Sequence, residues 1–569
     1  MTIEAVSPVH RPSWDPSRLA ALIAAVFLVA LIGLPIGWLV AFAFSTKGGA
    51  VTLDNFEALI SDPDLLDPLI TSLSLSVMVA GLALVSAAPL AWVVSRTNLP
   101  ARRLIRALMT ASFVTPPFLG AIAWEILAAP NSGILNKLWR DLTGSSDPLV
   151  DIYSFPGLVF VIACYTMPYV FVLVTNALDR IPADLEDAAG ILGAGTWKVA
   201  RSVTIPLVLP ALLAGGLIAF LQAMTLFGSP AILALPAGFH TITTKIYSLF
   251  QFPPKPQLAA AAALPLLLVT IALLWLQSRI LGRRGYSVVG GKGGEARLTP
   301  LGRWRWPALC LVMLVLALPL FLPYGALLKV AISRTASGPL SGDNLTLVNF
   351  TFVFFEFSQT RAAFVNTFLL GLATATGGTF LALAVAYLAA RKALPGARGL
   401  EFLATAPVAI PGIVLGVGLF LAYTRGPFVL YGTLWILLLA FLTIELPAAF
   451  QQLRASFRAV HPELEEASRI LGANRMTTLR RITAPLLKSG LISGWCLIFI
   501  GVVRELSAAI MLSSAKTKVL SVVIFDLNES GNLGAIAVLG IAMLIMTFVV
   551  VGIANWSAGV GAGLRLKGG

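Results

Sequence analysis

The chain has 569 residues, 58% of them hydrophobic and 12% charged, and its mean hydropathy is +0.89. No single water-facing core can bury that much apolar surface, so lipid must solvate much of the chain and a soluble globular domain is excluded. The formal net charge of +14 suggests nucleic acid only until it is mapped onto the segments between the apolar runs.

A polar tail over 1–18 opens the chain, and the apolar run after it is too long for the core of a cleavable signal peptide. About twelve runs follow, over 19–44, 69–95, 103–128, 155–179, 204–230, 256–280, 305–332, 362–390, 400–424, 428–453, 484–513 and 533–556. Each is long enough to cross the roughly 30 Å hydrocarbon layer as a helix. The alternation expected of a membrane barrel is missing, which leaves an all-α polytopic fold. Most Lys and Arg fall in the tail, in the loops after even-numbered runs and at the C-terminus, as in "SRTNLPARRLIR" and "ARKALPGAR"; the first loop on the other side, "VTLDNFEALISDPDLLDP", is acidic. That bias predicts cytoplasmic termini and reports orientation, not nucleic-acid binding.

The runs are written twice. "DLEDAAGILGAGTWKVARSVTIPL" (184–207) returns as "ELEEASRILGANRMTTLRRITAPL" (463–486), 279 residues on, with 11 of 24 positions identical. "TLDNF" at 52 returns as "TLVNF" at 346, and "RTNLPARR" at 96 as "RKALPGAR" at 391. The expected organisation is a cytoplasmic tail over 1–18, a first half of six helices over 19–282, a cytoplasmic linker over 283–303 and a second half of six over 304–569. The linker is Gly-rich and basic but lacks phosphate-loop spacing, so it reads as a flexible tether. Tandem halves in one orientation suggest a path between them along a pseudo-twofold axis.

The repeated polar segment is the clearest signal. Its acids, Asp184, Glu186 and Asp187, fall in the first turns of a helix, where the helix dipole favours negative charge. Small residues follow, and Gly193 and Gly472 suit a sharp turn before the chain re-enters the membrane at Pro206 and Pro485. One copy could be an ordinary interfacial helix; two copies at equivalent places resemble handles for a twofold partner.

The sequence here resembles the permeases of ATP-binding-cassette importers, whose pattern is Glu-Ala-Ala, three residues, Gly, nine residues, Ile-x-Leu-Pro. The first copy reads Asp187-Ala188-Ala189, Gly193, Val203-x-Ile205-Pro206; the second reads Glu466-Ala467-Ser468, Gly472, Ile482-x-Ala484-Pro485. The resemblance implies a type I importer permease fold in the bacterial inner membrane. It further implies that two copies of a cytoplasmic ATPase carry ATP and Mg, and that a periplasmic binding protein delivers the substrate. The chain itself would bind no cofactor and hydrolyse no ATP. The residues expected to couple to the ATPases are Glu186, Asp187, Ala188, Ala189 and Gly193, with Glu465, Glu466, Ala467, Ser468 and Gly472. "TPPFLGAIAWEIL", "RELSAAIML" and "IPGIVLGVG" further resemble the fused permeases of ferric-iron uptake; relatives carry 2-aminoethylphosphonate, thiamine or polyamines.

Polar residues within the runs are candidates for the translocation path, because a charge at the bilayer centre costs roughly 2.5–3.5 kcal/mol on insertion scales. They are Gln222, Glu445, Arg504 and Glu505, with Glu125 near a run's end. An interhelical ion pair that fixes packing is the plainer reading of Arg504 and Glu505. Adjacent residues on a helix diverge, so each is expected to find its partner on another helix. The halves are expected to meet along their fifth and eleventh runs. His10, His240 and His461 form no metal-ligand spacing, and Cys164, Cys310 and Cys496 read as small core residues. An ion-coupled transporter also uses repeats but has no use for the paired motif, and no HExxH or GxSxG supports a membrane enzyme.

Overall fold

Proline shapes this bundle at two levels. Several helices begin on one (Pro16, Pro63, Pro117, Pro256, Pro462), because the first helical position needs no amide hydrogen and favours the fixed φ. Others carry one inside, as at Pro89, Pro168 and Pro265, which packed membrane helices tolerate. The computed structural model describes residues 16–282, 298–390, 397–424, 426–458, 460, 462–473 and 475–557. The tail's first 15 residues, linker residues 283–297, residues 391–396, His10 and His461 lie outside them. Among the described residues nine helices are long and apolar enough to cross a membrane, or twelve when each of three bent pairs counts as one span. No β-strand forms there; only three isolated bridges occur.

The first half comprises α1 (Pro16–Ala43), α2 (Pro63–Arg96), α3 (Arg102–Ala111), α4 (Pro117–Ala128), α5 (Phe155–Leu178), α6 (Ala183–Ile191), α7 (Ile205–Thr225), α8 (Gly228–Leu233) and α9 (Pro256–Gly282). The second comprises α10 (Gly302–Ala331), α11 (Ser358–Ala390), α12 (Ala397–Thr405), α13 (Gly412–Tyr423), α14 (Leu434–Arg458), α15 (Pro462–Ile470), α16 (Lys488–Arg504), α17 (Ser507–Leu512) and α18 (Leu533–Ser557).

The third and ninth spans are not the straight helices that the runs 103–128 and 400–424 suggested. The first bends by 101° between Val114 and Pro117, the second by 105° between Ala409 and Gly412. Proline disfavours the helical region for the residue before it and offers no amide to the preceding turn. Thr115 and Pro116, and likewise Ile410 and Pro411, are accordingly extended.

The halves interlock through their first spans. α1 packs on α12 and α13 of the second half, and α10 packs on α4 of the first. At Gly418 of α13 a Cβ would lie 2.7 Å from the Pro35 carbonyl of α1; at Gly540 of α18 it would lie 2.6 Å from Leu119 of α4. Aromatic pairs join the halves as well, Phe227 with Phe525 at 5.9 Å and Phe250 with Phe420 at 5.4 Å between ring centroids. The expected meeting along the fifth and eleventh runs, 204–230 and 484–513, is narrowed here to their far ends. α7 packs chiefly on α2 and α5, and α16 on α11 and α14, each within its own half. The contact between halves comes just beyond them, where Leu506 would touch a Cβ placed on Gly228.

α6 and α15 leave the bundle at the same end. Leu301 donates its amide to Asn98, placing the start of α10 beside the end of α2. Ser557, ending α18, takes a hydrogen bond from Lys488 at the start of α16. Gly534, at the opposite end of α18, abuts Asn349, beyond the far end of α10. Of the cysteines, Cys164 and Cys496 are buried, whereas Cys310 is on the exposed face of α10.

Candidate functional site

Each polar segment folds as a short helix, a left-handed turn and a π-helical turn leading into a span. α6 starts after Pro182 with Asp184 and Glu186 in its first turn; α15 starts on Pro462 with Glu463 and Glu465 there. α6 closes with paired bonds, Ala194 N–H to Ala189 O at 3.0 Å and Gly193 N–H to Gly190 O at 3.0 Å, the capping pattern that needs a left-handed residue just past the helix. α15 closes with Ala473 N–H to Ser468 O at 3.1 Å. Gly193 has φ +82° and Gly472 φ +86°. A Cβ at either would meet nothing within 4 Å, so the glycines serve conformation here and not internal packing.

Behind each turn one carboxylate ties the helix back to the bundle. Thr204 Oγ1 donates to Glu186 Oε1 at 2.8 Å, and Thr483 Oγ1 donates to Glu465 Oε1 at 2.8 Å. Both threonines end π-turns, Ala200–Thr204 and Leu479–Thr483. The Arg96 guanidinium stands 3.6 Å from Glu186. Ser468 shares a buried hydroxyl contact with Thr478 at 3.0 Å. The next acids lie farther out: Glu466 is exposed and Asp187 half-buried, while Ala188 and Ala467 are exposed and Ala189 is half-buried.

The outward surface is apolar. Ile191 and Leu192 are each 87% exposed, Ile470 85% and Leu471 88%. Trp197, in the segment after the first turn, is also exposed. Large apolar side chains held this far out on a polar turn make the two turns a candidate interaction surface. Sequence reasoning did not single out these four, nor Thr204, Thr483 or Arg96. The signal was present, because Ile-Leu-Gly and the threonine are all identical between the copies.

The interior candidates separate. Arg504 donates to the Phe113 carbonyl at the bend between α3 and α4, and Thr115 in that bend pairs with the Tyr324 hydroxyl of α10; both contacts join the halves. Glu505 accepts the Ala508 amide at 2.7 Å at the start of α17, and a Cβ at Gly412 would lie 3.0 Å from the same oxygen. Arg504 and Glu505 thus find separate partners. Glu445 of α14 instead faces α16 of its own half, where a Cβ at Gly501 would collide with its carboxyl group. Glu445 lies on the tenth span, packed against the eleventh, whose end carries Arg504 and Glu505. Gln222 of α7 holds the repeat position of Gly501, and Thr166, bonded to Ile162 O at 3.0 Å, that of Glu445. Glu125 accepts the Tyr153 hydroxyl at 2.8 Å. Among the described residues no group of three or more His, Cys, Asp or Glu could hold a metal ion.

Tandem helical halves that interlock through their first spans, each extending the same short helix at one end, define a duplicated multi-pass membrane protein. The chain belongs to the family of binding-protein-dependent transport system inner membrane components, whose model matches residues 83–285 and 378–559. Among its relatives is the ferric transport system permease protein FbpB of Actinobacillus pleuropneumoniae, 26% identical over 452 residues, covering 78% of this chain and 64% of that protein. Another is the putative ferric transport system permease protein FbpB 1 of Haemophilus influenzae, 28% identical over 423 residues, covering 71% and 64%. The chain therefore spans about two thirds of the length of these two relatives. The molybdenum transport system permease protein ModB of Escherichia coli is 27% identical over 219 residues, 37% of this chain and 92% of its own length, which fits a protein the size of one half.

Proposed function

We propose that this chain is the permease subunit of an ATP-driven importer that takes ferric iron from a periplasmic binding protein and passes it to the cytoplasm. The observation that carries the proposal is the pair of Ile-Leu-Gly turns, Ile191–Gly193 and Ile470–Gly472, held in one geometry at one end of the bundle. Burying apolar surface is worth roughly 25 cal/mol per Å², so four nearly bare side chains are best explained by a covering partner. Two equivalent turns fit two copies of the same ATPase. The Lys and Arg bias puts that end in the cytoplasm. With no phosphate loop in the sequence, ATP and Mg belong to those partner subunits.

Ferric iron as cargo rests on the two relatives named for ferric transport. Glu505, beside the seam between the halves, and Glu445, one helix away, supply the hard oxygen donors that iron(III) prefers. Conduction requires that such contacts be weak enough to release the ion, which suits single carboxylates better than a closed ligand set.

Leu192→Cys and Leu471→Cys, introduced singly and cross-linked in membranes to the cognate ATPase, should each form an adduct. Vesicles containing the ATPase and the binding protein should accumulate radiolabelled ferric iron only with ATP. Adducts at neither position would overturn the docking role. ATP-driven uptake of another solute in place of iron would overturn the cargo.

A further inference from the structure

Arg96 is a cation only 2% exposed, at the end of α2. One guanidinium nitrogen, Nη2, donates to the carbonyls of Leu178 at 2.9 Å and Ile181 at 3.3 Å, where α5 ends. The same nitrogen stands 3.6 Å from Glu186 Oε1 of α6, the oxygen that also accepts the Thr204 hydroxyl ahead of α7. The Arg96 backbone carbonyl takes the Thr299 amide at 2.8 Å, and the Thr299 carbonyl takes the Asn98 amide at 3.3 Å. The end of the interhalf linker is therefore joined to the same spot, and beside it lies a cavity of about 270 Å³ lined by Trp92, Arg96, Glu186, Thr204, Thr299 and Pro300.

Four elements meet at this one residue, the second and fourth spans, the short helix and the linker, and the fifth span joins them through Glu186. Without Arg96, α6 rests chiefly on the segment just after it, residues 196–204, and a force applied at Ile191 and Leu192 could be absorbed by that turn. All of these contacts fall on Nη2, while Nε and Nη1 are buried without a hydrogen-bond partner, so the charge is held in place by two carbonyls and one carboxylate gathered at a single nitrogen. Burial strengthens the grip and makes loss of one charged partner costly.

We propose that Arg96 is a positioning residue that makes α6 move as one body with the second and fourth spans, so that motion of a docked ATPase reaches the bundle and not only the fifth span. This rests on the reading of α6 as an ATPase-docking helix. The role belongs to transmission, so its loss separates hydrolysis from transport without releasing the ATPase. The linker end, held through Thr299, travels with the same body.

The test uses the full complex with ATPase and binding protein in vesicles, measuring ATPase retained, ATP hydrolysed and solute transported. Arg96→Met should keep the ATPase bound and hydrolysing while transport per ATP falls about tenfold, within the usual range for loss of a coupling interaction. Arg96→Lys should recover part of the ratio, and Glu186→Gln, which spares the buried arginine, should lower it in the same direction. An unchanged ratio in both Arg96→Met and Glu186→Gln overturns the proposal. So does a fall in transport matched by an equal fall in hydrolysis and in membrane-inserted protein, which marks a merely structural residue. Failure of the unaltered chain to retain the ATPase overturns the docking reading instead, and is seen before any variant is made.

Discussion

At the exposed end of the bundle, Glu186 accepts Thr204 at 2.8 Å and Glu465 accepts Thr483 at 2.8 Å. The glycines that follow differ in φ by only a few degrees, +82° against +86°. Inside the bundle the same repeat disagrees with itself. The first half has Thr166 on α5 and Gln222 on α7, whereas the second has Glu445 on α14 and Gly501 on α16. The longer polar side chain has moved from one helix of the pair to the other, and in the second half it faces the glycine, Glu445 against Gly501. On the proposed function, the ends answer to one partner met twice and the interior to a single path that both halves share. A duplicated chain can drift at the second without spoiling the first.

The largest expected effect comes from breaking the matched ends. A double Gly193→Trp, Gly472→Trp variant should insert normally yet lose transport by about a hundredfold or more, since a bulky residue forced into the left-handed region distorts both turns. Transport and ATPase copurification assays check this; unchanged coupling in the double variant would remove the docking role from both turns.

The mismatched interior should respond to exchange. Gly501→Gln alone places a side chain against the Glu445 carboxyl and should destabilise the protein by about 1–3 kcal/mol, as overpacking does. Adding Glu445→Thr copies the first half's pair and should restore most of that loss in detergent melting experiments. If Glu445 also serves the cargo, the double variant should regain stability but not iron uptake. Regained uptake would make the carboxylate a packing group.

The smallest effect sharpens the likeness. Thr204→Val and Thr483→Val should each cost about 1 kcal/mol, the usual net worth of a hydrogen bond, and the two losses should agree closely. A large difference in melting shift would show that the tethers bear unequal loads, as the Arg96 contact in the first half invites.

Much of this was legible in the sequence. The twelve runs, the two halves and the paired helix all follow from apolar length and from repeated Glu, Gly and Pro positions, because those residue types carry strong local constraints. The bends at Pro116 and Pro411 were not legible, since Pro168 and Pro265 sit inside helices that continue through them. Which first span lies against which half was hidden as well: an apolar stripe such as that of α1 names no partner, and the contact of Pro35 with Gly418 is set by the close approach of two backbones. Ile191 and Leu192 stand out in the sequence as repeated residues, but an apolar residue in an apolar chain does not declare a surface. Only their placement on a turn held away from the bundle makes them a surface. The pairing of Glu445 with Gly501 was hidden too, because nothing in the sequence says that a glycine on the neighbouring helix makes room for the carboxylate.

The central claim is that one chain offers two equivalent docking turns. The most direct measurement is the native mass of the detergent-solubilised complex with its cognate ATPase. One permease chain bound to two ATPase copies is the expected result, with Leu192→Lys and Leu471→Lys each reducing it to a single copy. Two permease chains for two ATPase copies, or a full complement retained by both variants, would contradict the claim.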